Sequence, residues 1–380
     1  MRNRFVARDA RLGCDFHWWS EPKGRHRKSM RGVRNAHLFR TASYSSPLQL
    51  HWTTKVARRK EKRGTRGKKR RARIAERNSV IVDSAALMGL RRVSLASAAL
   101  SFGLVVWGAV VRVNGAGMTC PDWPRCQGSW LPALDNPTVF EWSHRLGAIV
   151  VTAIIALTFV MAYRCRALVP GAFRAACAGI GLIAAQIVAG WLTIRFQNNP
   201  PTVALHLVIG FLTFTTLLIV VVIAYSAPAA QGQKQNKSLA RLALASTIIA
   251  FAAVFAAGYM SAANDGLACV GFPLCNGLAG AVTPAQQIHM GHRFAAFATI
   301  AAVVATLGTA ISTQRSRSDI LAISWLAFAL VILQGVLGTL TVIARLDPVL
   351  RVWHEANGAL LTACLAVLTY LAYRPPGVAA

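Results

Sequence analysis

Five histidines and one glutamate are conspicuous in an otherwise apolar stretch of this chain. His144, His206, His289, His292 and His354 sit in or beside hydrophobic runs, and Glu141 precedes His144 by three residues. Ionisable side chains are costly inside lipid; they face the interior of a helix bundle and usually meet a functional partner there. A lone histidine in an apolar helix is more often a helix–helix hydrogen-bonder than a ligand. Four of these recur as pairs, however: 292 − 144 and 354 − 206 both give 148. Imidazole suits iron, copper and zinc. A structural zinc asks for four protein ligands, and neither half has Cys or Asp near its histidines at that depth. Two histidines on different helices fit a haem, whose porphyrin supplies the other four ligands and whose faces want apolar walls.

The neighbours of these histidines are consistent with that. Gly147, Gly210 and Gly358 lie close by and would admit a flat ring near the backbone. Arg145 and Arg293 each follow a histidine directly. They are candidates for propionate contacts, with interfacial snorkelling as the plainer account. Glu141 lies one helical turn outward from His144 on the same face, and its counterpart in the second set is His289. A carboxylate in that place can accept or shuttle a proton, or stabilise developing positive charge. An acid favoured by the helix macrodipole is the structural alternative. Asymmetry between two otherwise matched sites favours divided labour, with one half reacting and one half serving.

The elements that must position these groups are membrane helices. The chain has 380 residues, 54% hydrophobic and only 14% charged, which is too little charge for a soluble domain of this size. Eight apolar runs are long enough to span a bilayer: 93–113, 140–163, 173–194, 202–223, 242–260, 288–311, 320–343 and 352–373. A backbone in lipid must satisfy its own hydrogen bonds, so these are helices. Arg91, Arg92, Arg164, Arg166, Arg174, Lys234, Lys237, Arg241, Arg315, Arg317 and Arg374 all fall on one side if there are eight spans. That side is the cytoplasm, with both termini inside and the two long loops outside.

Those loops supply a further pair of motifs. "CPDWPRCQG" begins at Cys120 and "CVGFPLCNG" at Cys269. "EWSHRLGA" and "HMGHRFAA" repeat in the same order, as do the stretches around His206 and His354. Four matches in one order at one spacing indicate a duplication. The expected fold is an all-α membrane protein of two tandem four-helix bundles, related by a pseudo-two-fold axis along the membrane normal. The halves run from 88 to 226 and from 240 to 374. Local disulfides, Cys120–Cys126 and Cys269–Cys275, suit an outward loop. A four-cysteine metal site is the alternative, as is redox exchange by the first pair with other thiol proteins.

The net charge of +29 is placed unevenly: about 26 of the 42 Lys and Arg precede Val93. That concentration argues against a nucleic-acid function for the body. Residues 1–87 form a basic, aperiodic head, expected to be disordered. It reads as a start assigned too early, with Met88 the alternative start, as a targeting segment, or as an arm that binds nucleic acid or anionic lipid.

With these motifs in hand, the chain resembles the haem A synthase family of eight-helix membrane proteins over about residues 90–374. The resemblance rests on "RVNGAGMTCPDWPRCQG", "EWSHR", "HLVIGF", "GLACVGFPLCNG", "HMGHR" and "WHEANG" in combination. It implies oxidation of a ring methyl of haem O to a formyl group, giving haem A for terminal oxidases. It further implies that His144 and His206 flank the substrate haem, that Glu141 is the catalytic carboxylate, and that His292 and His354 ligate a haem b. His289 is an additional histidine that matches Glu141 in position. Implied partners are a haem O synthase as substrate donor, terminal oxidase assembly factors, membrane lipid and a second copy of the chain. The implied location is a bacterial plasma membrane, the mitochondrial inner membrane being the alternative. Two other functions compete: a di-haem b electron-transfer subunit and a haem carrier. Neither needs an acid in one half only.

Overall fold

The computed structural model describes residues 84–226, 236–275 and 280–374; the basic head up to residue 83 lies outside them. The described chain is all-helical. Eight helices are long and apolar enough to cross a bilayer: α1 (Ser84–Val113), α2 (Thr138–Arg164), α3 (Pro170–Arg195), α4 (Pro200–Tyr225), α5 (Lys237–Ala262), α6 (Pro284–Thr313), α7 (Ser318–Ile343) and α8 (Pro348–Tyr373). Each of the eight apolar runs lies inside one of them.

The helices outrun the apolar stretches, because their ends are set by capping chemistry. Pro170, Pro200, Pro284 and Pro348 open α3, α4, α6 and α8, where a missing N–H costs nothing. Asn199 and Asn236 accept from the N–H groups of Thr202 and Leu239. Thr283 and Gln286 form a reciprocal capping box, and Asp347 accepts from Val349 and Leu350. Met88 stands inside α1, which is already helical at Ser84, so the helical body includes residues assigned above to the head.

Lipid offers no hydrophobic drive between apolar helices, so association depends on close packing and interhelical hydrogen bonds. Small residues supply the first. Ala98, Ala359 and Ala363 join Val151, Ile155, Ile183, Phe211, Phe214 and Leu217 in a core shared by α1, α2, α3, α4 and α8. Hydroxyl pairs supply the second: Ser97 meets Thr158 at 2.6 Å between α1 and α2, and Ser246 meets Thr306 at 3.1 Å between α5 and α6. Helix α4 packs on α5 and α8, and α8 is the most deeply buried of the eight.

The turns that reverse the chain before α4 and α8 share one backbone form. Gln197 and Asn198 have φ of 49° and 57°; Arg345 and Leu346 have 51° and 66°. Asn198 N–H donates to Thr193 O at 2.7 Å, and Leu346 N–H to Thr341 O at 2.8 Å. The residue at the tip of each turn lies against a loop glycine: Asn198 on Gly117, Leu346 on Gly266.

Helices α4 and α5 approach each other closely at Gly258. A Cβ added to Gly258 would stand 2.9 Å from the Cα of Ala204, which is backbone and cannot swing aside. Gly258→Ala is therefore expected to cost about 1–3 kcal/mol by overpacking. It should lower the melting temperature in detergent. Gly103→Ala, whose Cβ meets nothing within 4 Å, is the control. Equal melting of the two variants would rule out this crossing as a constraint.

Candidate functional site

Each even-numbered helix carries one of the four paired histidines, and each ring is backed by the helix before it. His354 on α8 faces α7 at Gly338, where an added Cβ would lie 2.9 Å from the ring. His206 on α4 faces α3 at Gly190, at 3.2 Å, and His144 on α2 faces α1 at Gly108, at 3.3 Å. His292 on α6 is held differently: its Nδ1 lies 3.0 Å from the carbonyl of Ala253 on α5. A carbonyl only accepts, so this Nδ1 carries the hydrogen and Nε2 keeps its lone pair.

His292 and His354 form a facing pair, with ring centres 6.5 Å apart and planes at 77°. Metal–imidazole bonds of about 2 Å on either side of one iron set ring centres roughly 6 Å apart. His144 and His206 are near enough to interact electrostatically. The Nδ1 atoms of His144, His206 and His354 are buried without a hydrogen-bond partner among the described residues. Paired rings, side-chain-free helix backing and uncommitted buried nitrogens suit a flat ligand with a metal at its centre.

The glycines singled out from sequence do other work. Gly210 and Gly358 admit the carboxamides of Gln186 and Gln334, and Gly147 faces Leu104. The glycines on the rings are Gly108, Gly190 and Gly338. Sequence reading missed these and both glutamines. The Nε2 of Gln186 lies 3.4 Å from His206 Nε2, and that of Gln334 lies 3.3 Å from His354 Nε2. The 148-residue offset would have found all but Gly108, since it relates Gln186 to Gln334 and Gly190 to Gly338.

At the loop end of the helices, Cys120 is bonded to Cys126 and Cys269 to Cys275. Each loop is gripped by the arginine that follows a histidine. Arg145 Nη1 donates to the carbonyls of Asp122 and Arg125, and Nη2 donates to the Cys120 carbonyl at 2.6 Å. Arg293 Nη1 donates to the carbonyls of Gly271 and Pro273, and Nη2 to the Cys269 carbonyl at 2.6 Å. These are charge-assisted bonds to main chain, so they survive the change from "PDW" to "VGF" between the loops. Asp122 braces the first loop further, accepting from Gln127 and Gly128 N–H at 2.6 and 3.0 Å. Slight burial pushes its carboxyl up, but the Gly128 and Gln127 bonds outweigh this and hold its pKa below the usual carboxylate value.

Glu141 is buried at 4% exposure. Its Oε2 accepts from Thr119 Oγ1 at 3.0 Å and from Cys120 N–H at 2.9 Å; its Oε1 accepts from Arg145 Nη2 at 2.7 Å. One carboxylate is thus pinned by the disulfide loop and by the loop's own clamp. His289, its counterpart, is also buried, with Nδ1 3.3 Å from the carbonyl of Asp265. A separate charged cluster joins α1, α5 and α8. There Arg112 Nη2 donates to the Ser261 carbonyl at 2.6 Å, and its charge acts on those of Arg351 and Glu355.

With this geometry established, similarity to known proteins is informative. The pattern of a family described as cytochrome oxidase assembly protein matches residues 91–366. A haem A synthase of Bacillus licheniformis is 28% identical over 257 residues, 64% of this chain and 83% of the relative. That of Shouchella clausii is 27% identical over 295 residues, 75% of this chain and 98% of the relative. That of Symbiobacterium thermophilum is 26% identical over 299 residues, 76% and 95% respectively. The family pattern takes in six of the eight helices in full and most of α1 and α8, with every residue of both histidine pairs and both loops. The chain is a multi-pass membrane protein, all-helical over its described residues, and belongs to the cytochrome oxidase assembly protein family.

Proposed function

We propose that this protein is a haem A synthase, an oxidoreductase that converts the ring methyl of haem O to the formyl group of haem A for terminal oxidase assembly. The observation that carries the reading is asymmetry: two matched histidine pairs, with a pinned carboxylate in one half and a histidine in its place in the other. In this reading His144 and His206 hold the substrate haem O, and His292 and His354 hold a haem b. Bound there, haem b supplies one-electron transfer. The backing helices keep the imidazoles in place, and apolar walls exclude water from the pair.

Glu141 is the catalytic carboxylate. Three donors fix its two oxygens, so it meets the reacting edge without reorganising, and preorganised charge is worth most where water is excluded. It accepts a proton at Oε1 or Oε2, or stabilises positive charge as it develops at the methyl carbon. Arg145 spends four bonds on the loop and Glu141. Its Nε, like that of Arg293, is the donor assigned to a propionate in this reading.

The arrangement that goes with this function is two tandem four-helix bundles about a pseudo-two-fold axis along the membrane normal. Matched hydroxyl pairs, matched left-handed turns and matched loop clamps support it. The bilayer is a bacterial plasma membrane, with both termini cytoplasmic and the disulfide loops outside. Partners are a haem O synthase, oxidase assembly factors, lipid and a second copy of the chain.

Pigment extraction from the purified protein tests the assignment. The wild type should carry haem O, a hydroxylated product or haem A beside haem b. Glu141→Gln should keep the pigments and slow haem A formation about 10²–10⁴-fold. His292→Ala and His354→Ala should each lose the haem b spectrum. Haem b alone, indifferent to Glu141, would sink the enzyme. The clamp has its own test. Arg145→Ala should speed alkylation of Cys120 and Cys126 after mild reduction, leaving Cys269 and Cys275 unchanged, and Arg293→Ala should do the reverse. Each variant gives up charge-assisted bonds of about 1.5–3 kcal/mol apiece, so an unchanged alkylation rate would exclude the clamp.

A further inference from the structure

Gln186 and Gln334 are twins up to a point. Each presents Nε2 to a histidine Nε2, and each lies on a glycine. Beyond that they differ. Gln334 is fully engaged: Nε2 also donates to the His354 carbonyl at 3.1 Å, and Oε1 accepts from Asn357 Nδ2 at 2.7 Å. Asn357 is itself anchored on the Leu330 carbonyl at 3.0 Å. The residue 148 positions before Asn357 is Ile209, which has no side-chain donor. Gln186 Oε1 is accordingly buried without a hydrogen-bond partner among the described residues. An unpaired buried carbonyl costs about 1–3 kcal/mol, so a native site that keeps one asks for an account of what else donates to it. The orientation of the amide follows that of its twin. Its twin is held in this orientation by Asn357 Nδ2 and the His354 carbonyl, and both amides lie against the matching glycine, Gly210 or Gly358.

We infer that Gln186 is a specificity-determining residue whose Oε1 accepts a hydrogen bond from an alcohol on the edge of the substrate porphyrin. This rests on the haem A synthase reading. Haem O differs from haem b in carrying a hydroxyl on its long isoprenoid side chain, and the first oxidation of the methyl group creates a second. Haem b has neither. In the half assigned to haem b, the equivalent acceptor is closed from within by Asn357. In the half assigned to haem O it is left open, beside His206. Substitution of one residue, Ile for Asn, thus separates a pocket that takes an alcohol from one that does not. A buried acceptor of this kind discriminates strongly between a ligand with the hydroxyl and one without, which an apolar wall cannot do.

The test is spectral titration of haem O and of haem b into the full-length protein with its carboxy-terminal haem b already in place. Gln186→Met removes the acceptor at similar volume. Ile209→Asn copies the internal donor onto Gln186. Both should reduce the preference for haem O over haem b about tenfold, leaving haem b affinity within about twofold. The spectrum of the resident haem b reports that each variant is folded. A preserved preference with early release of the hydroxymethyl intermediate assigns Oε1 to the second alcohol and still supports the inference. Variants that match the wild type in both preference and intermediate release overturn it, while wild-type conversion of haem O leaves the enzyme assignment standing. A wild type that neither prefers haem O nor makes haem A removes the enzyme assignment and this inference with it.

Discussion

His354 is pressed against α7 at the point where that helix has no side chain. The site depends on this contact and its counterparts. An imidazole between apolar helices is useful as a ligand only if its ring cannot rotate, and lipid-facing helices have few polar groups with which to hold it. Backing the ring with a helix surface bare of side chains fixes it by contact alone. Three of the four rings are held so, at Gly108, Gly190 and Gly338; the fourth is held by the Ala253 carbonyl. Because each ring is backed by the preceding helix, the site requires helices in consecutive pairs. The hydroxyl links Ser97–Thr158 and Ser246–Thr306 tie two of those pairs further from the disulfide loops.

The loops matter for a different reason. A carboxylate at a helix end would ordinarily sample several rotamers and attract water. Glu141 is denied both by a short loop whose ends are cross-linked and whose carbonyls are gathered by Arg145. One guanidinium closes the loop and also supplies the charge that keeps the carboxylate in place. Arg293 closes its loop in the same way without a carboxylate to hold. The clamp is therefore structural in both halves, and only the first half adds a carboxylate to it.

Much of this was legible in the residues. Eight apolar runs, two cysteine loops and a recurring His-Arg pair are strong signals, because hydropathy and duplication repeat them. Helix ends were less so, since capping by Asn199, Thr283 or Asp347 lies outside the apolar run. The left-handed turn at Arg345 and Leu346 was invisible, as neither residue type favours positive φ. The grip of Arg145 and Arg293 on the loops was not legible either, because a guanidinium at a helix end says nothing about where a loop folds its carbonyls. Gln186 and Gln334 look like tolerated polar residues in apolar helices until both are seen against histidines.

The duplication also explains why function has to be sought in the differences. Matched residues such as Gln186 and Gln334, or Gly190 and Gly338, serve what both halves need: a ring held still beside an amide. Where they part, the physical demand differs. Glu141 against His289 exchanges a pinned negative charge for a ring resting on a carbonyl. Ile209 against Asn357 exchanges an open acceptor for a closed one. The first exchange puts a pinned charge, and the second an unpaired acceptor, in the half that carries His144 and His206. A pocket that only stores a cofactor gains from having every buried group satisfied, because each unpaired group weakens it. A pocket that must take in a polar-edged substrate and let it go changed needs groups whose partners arrive with the ligand.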